Sequence, residues 1–285
     1  MQEWLYRASN ARADAVRFAH PAERHIARLF DAHGVRWLYE PTTFPLISSL
    51  AGEPLQSFTP DFYLPDHRVY LEMTTMRQSL VTRKNRKFRL MRESYPELDV
   101  RLVYRKDVEL IMDWYGLAPV EWSVLPGTVI TTEEQVMRKV HEIATRLRSG
   151  AGPVVLVAVG GGGAWLRDEV VRALAESATA ASVAQLEQVT SGSASIAAEQ
   201  RLVLVADIVG TGLTVDAALR TCRAAGRAVS AVIALLDRRS ARLVDIELAV
   251  PGLPAPAAWI AGCGLGPAPF AARSDLITIA RVAGV

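Results

Sequence analysis

The twenty residues Arg201 to Arg220, RLVLVADIVGTGLTVDAALR, constrain the fold of this chain more than any other segment. Leu202 to Val205 is an apolar run rich in β-branched residues, too short for a helix and suited to a buried strand. It ends at Asp207. The turn Gly210-Thr211-Gly212-Leu213-Thr214 follows, and Val215-Asp216-Ala217-Ala218-Leu219 then reads as the opening of a helix. A buried strand running through a Gly/Thr turn into a helix is a phosphate cradle. The first-turn N–H groups and the positive end of the helix dipole both face an anion there. Glycine lets the backbone approach the anion, and the hydroxyls of Thr211 and Thr214 add donors.

The same pattern extends through the C-terminal half. Strands are expected at 154–159, 202–206 and 229–236, helices at 164–176 and 214–225, and short strands near 245–250, 258–262 and 277–280. Strands separated by helices imply a mostly parallel α/β sheet with ligands at its carboxyl ends. The 285 residues suffice for two domains, and turn residues at Gly116 to Pro119 and Leu125 to Thr128 place a boundary near 120: domains 1–118 and 119–285. Net charge is +2, but the distribution is uneven. Arg77, Arg83, Lys84, Arg86, Lys87, Arg89 and Arg92 follow one another with no acid among them. Cys222 and Cys263 have no metal or redox spacing and fit a reducing compartment. No apolar run approaches ~18 residues and the N-terminus has no signal-peptide pattern, so the expectation is a cytoplasmic protein without a membrane partner.

The Asp207 to Thr214 segment resembles the phosphoribosyl-pyrophosphate signature of type I phosphoribosyltransferases, and the rest of the half resembles their hypoxanthine-guanine branch in the same order. Glu133 to Leu147 resembles the first helix. Val154 to Gly163, with Gly161 and Gly162, resembles the strand and pyrophosphate loop. Arg238 falls where a purine-contacting Lys is usual, Trp259 in the segment whose aromatic stacks on the purine, and Arg273 near a pyrophosphate-binding Arg. The resemblance implies a nucleotide or phosphoribosyl pyrophosphate at Asp207, Gly210, Thr211, Gly212, Leu213 and Thr214. The family's other acids are replaced: Ala206 and Gly210 stand at two of the three carboxylate positions, Gly160 replaces a Lys, and Gly266 a late Asp. Transfer to a purine requires charge stabilisation at the ribose and a proton acceptor at the base. The expectation is therefore a transferase shell that binds its ligand without turnover.

In the N-terminal half, a helix from Pro21 to His33 precedes a strand at 37–39, and a helix over 80–95 separates strands at 69–73 and 100–104. Asp61, after Pro60, and Glu72, eleven residues on, place two carboxylates on neighbouring strands. Such a pair suits Mg²⁺ or Mn²⁺, which take oxygen ligands, and a metal beside a basic helix suits phosphodiester hydrolysis. Pro60-Asp61 and Glu72-Met73-Thr74 resemble the PD-(D/E)XK nuclease core, with Thr74 where that family carries Lys. Lys84 shares a helix face with Val81, Phe88, Met91 and Tyr95 and is the candidate replacement, with Lys87 as the alternative. Glu23, facing the same way as Ile26 and Phe30, is a candidate fourth catalytic group. His20 and His25 flank it and read as structural.

These features give a leading expectation of a metal-dependent nuclease acting on nucleic acid, with Asp61 and Glu72 as metal ligands, controlled by a nucleotide-binding C-terminal domain. A homodimer would pair two sites for two strands. The alternative is a purine-type phosphoribosyltransferase with an accessory nucleic-acid-binding domain. A third reading is a catalytically silent regulator.

Overall fold

The computed structural model describes residues 13–51, 53–74, 78–104, 107–108, 111 and 122–283. The chain divides into two compact units, Met1–Ala118 and Pro119–Val285.

Among the described residues of the first unit, a 3-10 turn at Ala13–Ala15 precedes α1 (Pro21–Ala32), whose apolar residues Ile26, Leu29 and Phe30 are buried along one face. Its start is fixed by a capping box in which the His20 side chain accepts the Ala22 N–H and the Glu23 carboxylate returns to the backbone. Then come β1 (Leu38–Tyr39), β2 (Phe44–Ser48), β3 (Pro54–Phe58), β4 (Phe62–Leu64), β5 (Val69–Thr74), α2 (Gln78–Ser94) and β6 (Asp99–Tyr104). The sheet order is β1-β4-β5-β6, antiparallel except for β5–β6, which are parallel and joined by α2. A parallel pair needs such a crossover because a hairpin cannot return the chain in the same direction. The pair β2–β3 forms its own two-stranded ribbon. It was not legible in the sequence, since Pro45 and Pro54 argue against ladder positions. Here both prolines are exposed on a ribbon with two free edges, where a missing N–H costs little.

The second unit contains β7 (Trp122–Thr131), α3 (Glu133–Arg148), β8 (Val154–Val159), α4 (Gly163–Glu176), β9 (Ala181–Ala184), α5 (Leu186–Ser191), β10 (Arg201–Val209), α6 (Leu213–Ala224), β11 (Val229–Asp237), β12 (Leu253–Pro254), β13 (Trp259–Ala261) and β14 (Leu276–Ala283). Five strands form a parallel sheet in the order β12-β11-β10-β8-β9. The apolar runs of its inner strands alternate between two cores. Leu156, Val203, Val205, Ile233 and Leu235 pack with Val140 and Ile143 of α3 and Leu166 and Val170 of α4. Val155, Val157, Leu202, Leu204 and Val232 pack with Val215, Ala218 and Cys222 of α6 on the other face. A strand buried on both sides has no polar face to show, which is why these segments read as continuous apolar runs.

Two expectations are corrected here. The turn residues Leu125 to Thr128 lie within β7, which pairs along its length with β14 in an antiparallel sheet completed by β13. A register shift between Ile277 and Ile279 accommodates Pro126, and Thr278 Oγ1 accepts the Thr128 N–H at 3.1 Å. No strand forms at 245–250. The sheet is extended instead by β12, paired with Leu236 and Asp237 of β11.

The first unit's core centres on Phe62, fully buried, with the rings of Phe30, Trp37 and Tyr39 at 5.6, 5.8 and 5.6 Å in edge-on geometry. Phe62→Ala removes the hub of this cluster and leaves a cavity. We expect a loss of about 3–5 kcal/mol, read as a lower urea midpoint.

Candidate functional site

Parallel pairing of β8 with β10 builds the site. The register aligns Ala206 with Val159, the last residue of β8; β10 continues to Val209, and each strand then runs through glycines into a helix. The β8 end turns at Gly160 and Gly161 into α4, and the β10 end turns at Gly210 to Gly212 into α6. Two helix N-termini of 14 and 12 residues thus open at the same edge of the sheet. Asp207 stands between them. Its Oδ1 accepts the Ile208 N–H at 2.7 Å, and its Oδ2 lies over the second loop, where a Cβ at Gly162 would meet it at 2.1 Å. Only glycine at 162 leaves room for this carboxylate. Burial pushes the Asp207 carboxyl up to about 6, opposed by hydrogen bonds from the backbone N–H groups of Ile208, of Asp207 itself and of Gly162.

The Gly210 to Thr214 turn is held from beneath. Leu243 and Val244 donate their N–H groups to the Thr211 carbonyl at 2.9 and 3.1 Å. The Thr211 side chain is buried, and its hydroxyl oxygen accepts the Leu213 N–H at 3.3 Å. Gly212 caps α6 at φ +86°, with the Val244 carbonyl 2.4 Å from where a Cβ would sit, so both conformation and space demand glycine. Gly210 and Leu213 are buried and Thr214 is half-buried. On the facing loop, Gly160 and Gly161 have open space where a side chain would project.

The outer residues occupy different settings. Arg238 is fully buried at the end of β11; its N–H donates to the Val209 carbonyl at 3.0 Å and its Nη2 to the Ala258 carbonyl at 2.6 Å. That second bond fixes the approach to β13, where Trp259 packs half-buried beside Ala261, Ile277 and Phe270. Arg273 pairs with Asp275 at 2.7 Å at the rim of an open depression of about 440 Å³ lined also by Thr132 and Glu133. Sequence reasoning missed Arg242. Its guanidinium ion-pairs with Asp237 and donates to the Val209 carbonyl at 3.3 Å, tying the ends of β10 and β11. Burial lowers its pKa, against the pull of Asp237. An acid closing an otherwise apolar strand, as Asp237 does, was the available signal. α5 extends to Ser191, and Gly192 closes it in the left-handed region.

No family model matches the sequence, and no curated protein does. Solved structures do resemble the chain. The HGPRT-ase of Leishmania tarentolae, in complex with GMP, is 22% identical over 54% of this chain and 96% of that one, with a TM-score of 0.48. The hypoxanthine phosphoribosyltransferase of Trypanosoma cruzi is 22% identical over 57% and 95%, with a TM-score of 0.46. A hypoxanthine-guanine phosphoribosyltransferase of Bacillus anthracis is 18% identical over 55% and 100%, with a TM-score of 0.47.

The nuclease expectation is corrected here: the solved structures that resemble the chain are named as phosphoribosyltransferases, in line with the alternative reading. The N-terminal geometry gives the physical reason. Glu23 Oε2 accepts the N–H groups of Ala19 and His20 at 3.1 and 3.2 Å and the Tyr39 hydroxyl at 2.8 Å, which makes it a helix cap. Asp61 Oδ2 accepts the Met73 N–H at 2.6 Å, bracing β5. Glu72 and Thr74 are buried on β5. Lys87 donates to the Ser57 carbonyl at 3.0 Å, and the Lys84 side chain lies outside the described residues. Among the described residues, no three His, Cys, Asp or Glu side chains gather as a metal-binding group. Nor is any described helix long and apolar enough to cross a membrane.

The Asp207 shift has a stability consequence of fixed sign. Its folded pKa, about 6, exceeds the ordinary 3.8, so its contribution to stability is fully present below 3.8 and is lost as pH rises through about 6. Asp207→Asn should therefore be more stable than the parent above that range, by roughly 1–3 kcal/mol. The two should converge in acid. Urea unfolding across the pH range checks this.

Proposed function

We propose that the C-terminal unit binds a phosphoribosyl compound and carries out purine-type phosphoribosyl transfer. The observation that carries this reading is the position of Asp207, between two glycine turns that lead into two helices at one edge of a parallel sheet. The 5′-phosphate is assigned to the Gly210–Thr214 turn, where the N–H groups of the first turn of α6 point outward. A pyrophosphate is assigned to the Gly160–Gly162 loop and the N-terminus of α4. Asp207 then faces the ribose, where an ionised carboxylate accepts hydroxyl hydrogens and stabilises positive charge developing at the sugar carbon. Trp259 is assigned to the base as an apolar face.

Mg²⁺ typically binds through one or two carboxylates together with substrate phosphates, so the single carboxylate of Asp207 fits an ion shared with the ligand. Such an ion would neutralise charge on the pyrophosphate. Gly210 has no side chain, so this position provides no carboxylate to accept the base's proton. For the N-terminal unit we infer a PD-(D/E)XK-like core arrangement, supported by antiparallel β4–β5 and parallel β6 after α2. Its basic α2 suits nucleic-acid binding in an accessory role.

The test measures phosphoribosyl pyrophosphate binding by calorimetry, and nucleotide and pyrophosphate formation from hypoxanthine or guanine with Mg²⁺. Asp207→Asn should lower turnover by about 10²-fold. Binding by the parent should weaken as pH falls through about 6, and this dependence should vanish in the variant. Equal turnover in parent and variant would remove Asp207 from the mechanism. Binding without any product would reduce the assignment to a nucleotide-binding unit.

A further inference from the structure

The ribbon β2–β3 has a base and a tip of opposite character. At the base, Phe44 and Phe58 are buried against Met91 of α2, Val100 and Tyr70. Toward the tip the chain emerges: Ile47 is 38% exposed, Leu55 69%, and Leu50, in the connecting loop, is fully exposed. The loop is closed by the Ser49 N–H on the Glu53 carbonyl at 2.8 Å and the Glu53 N–H on the Ser49 hydroxyl at 3.1 Å. The tip therefore presents aliphatic side chains beside the Ser49–Glu53 hydrogen bonds. The ribbon is also fixed to α2. Lys87 Nζ donates to the Ser57 carbonyl at 3.0 Å, and the Tyr95 hydroxyl donates to the Pro45 carbonyl at 2.9 Å. On that same helix, Arg86, Arg89 and Arg92 are exposed, and Arg89 lies 3.7 Å from Glu93.

We propose that the β2–β3 ribbon is a duplex-deforming arm, with the Leu50 tip wedged between base steps while the arginines of α2 hold the flanking phosphates. This rests on the nucleic-acid reading of the N-terminal unit given above and names its contact element and mode. Charge selects the occupant. An aliphatic tip braced against a cationic helix matches a polyanion with apolar base faces, and apolar wedges beside basic side chains are how proteins kink duplexes from the minor groove. The ribbon carries one acid, Glu53, and no cation, so phosphate attraction comes from α2 while the tip supplies apolar contact.

The experiment uses the full chain and a short DNA duplex labelled at both ends, reading end-to-end energy transfer and affinity across a salt series. The parent should bind and bend the duplex. Leu50→Ala, at a site with no packing to lose, should abolish the bend and weaken binding by about ten-fold. Arg86→Ala/Arg92→Ala should weaken binding and lower the salt slope by about 2. A parent that binds and leaves the duplex straight, or a Leu50→Ala variant that bends it equally, would overturn the arm but leave nucleic-acid binding standing. Absence of any duplex binding by the parent would sink both. Self-association of the parent without nucleic acid, lost in Leu50→Ala, would assign the tip to a second copy and overturn the proposal.

Discussion

The parallel register of β8 against β10 is the constraint on which the candidate site depends. Parallel pairing through Val159 and Ala206 makes the two strands run the same way, so the two glycine turns and the two helix starts after them lie at one edge, with β10 reaching three residues further to Val209. Parallel strands need long crossovers, and those crossovers include the helices whose N-termini open at that edge. A one-residue slip would send every side chain of β10 to the opposite face. It would also carry Asp207 away from Gly162. The burial of both faces holds the register: Leu202 and Leu204 pack with α6, Val203 and Val205 with α3 and α4.

Asp207 illustrates how a fold can hold a destabilised group. Its carboxylate is drawn into a setting that raises its pKa, and three backbone N–H groups only partly offset the cost. Shifted carboxylates collect where charge is needed for binding or chemistry. The Asp237–Arg242 pair nearby is different in kind. It is enclosed, bonded to the Val209 carbonyl, and ties two strand ends together. A lone buried cation there would be costly, so the pair has to form as a unit. One acid is held by backbone N–H groups between the two glycine turns, and the other secures the strand ends beside it.

The N-terminal acids show why spacing was not enough. Asp61 lies just before β4 and Glu72 on the neighbouring β5, and Glu23 is buried on α1. What each carboxylate meets there differs from what the spacing implied. Glu23 closes a capping box and receives a tyrosine hydroxyl from β1, and Asp61 braces a backbone amide of β5. A linear pattern specifies which face a side chain occupies and not which donors await it. The β2–β3 ribbon is the converse case. Two prolines hid it in the sequence, and its role as a projecting element became visible only once its base was seen buried and its tip exposed.

Local chemistry was legible without the structure. Apolar β-branched runs gave β8, β10 and β11, helix start signals gave α1 and α6, and the Gly210–Thr214 turn marked where α6 begins. These follow from rules that act over a few residues, so composition and spacing carry them. Tertiary structure decided what lies far apart in the chain. It set the strand order, placed Gly162 beneath Asp207, joined Arg242 to Asp237, and passed β7 through Pro126 and Gly127 by pairing it with β14. Those outcomes depend on long-range contacts and on which buried polar groups find partners, and no local rule contains that information.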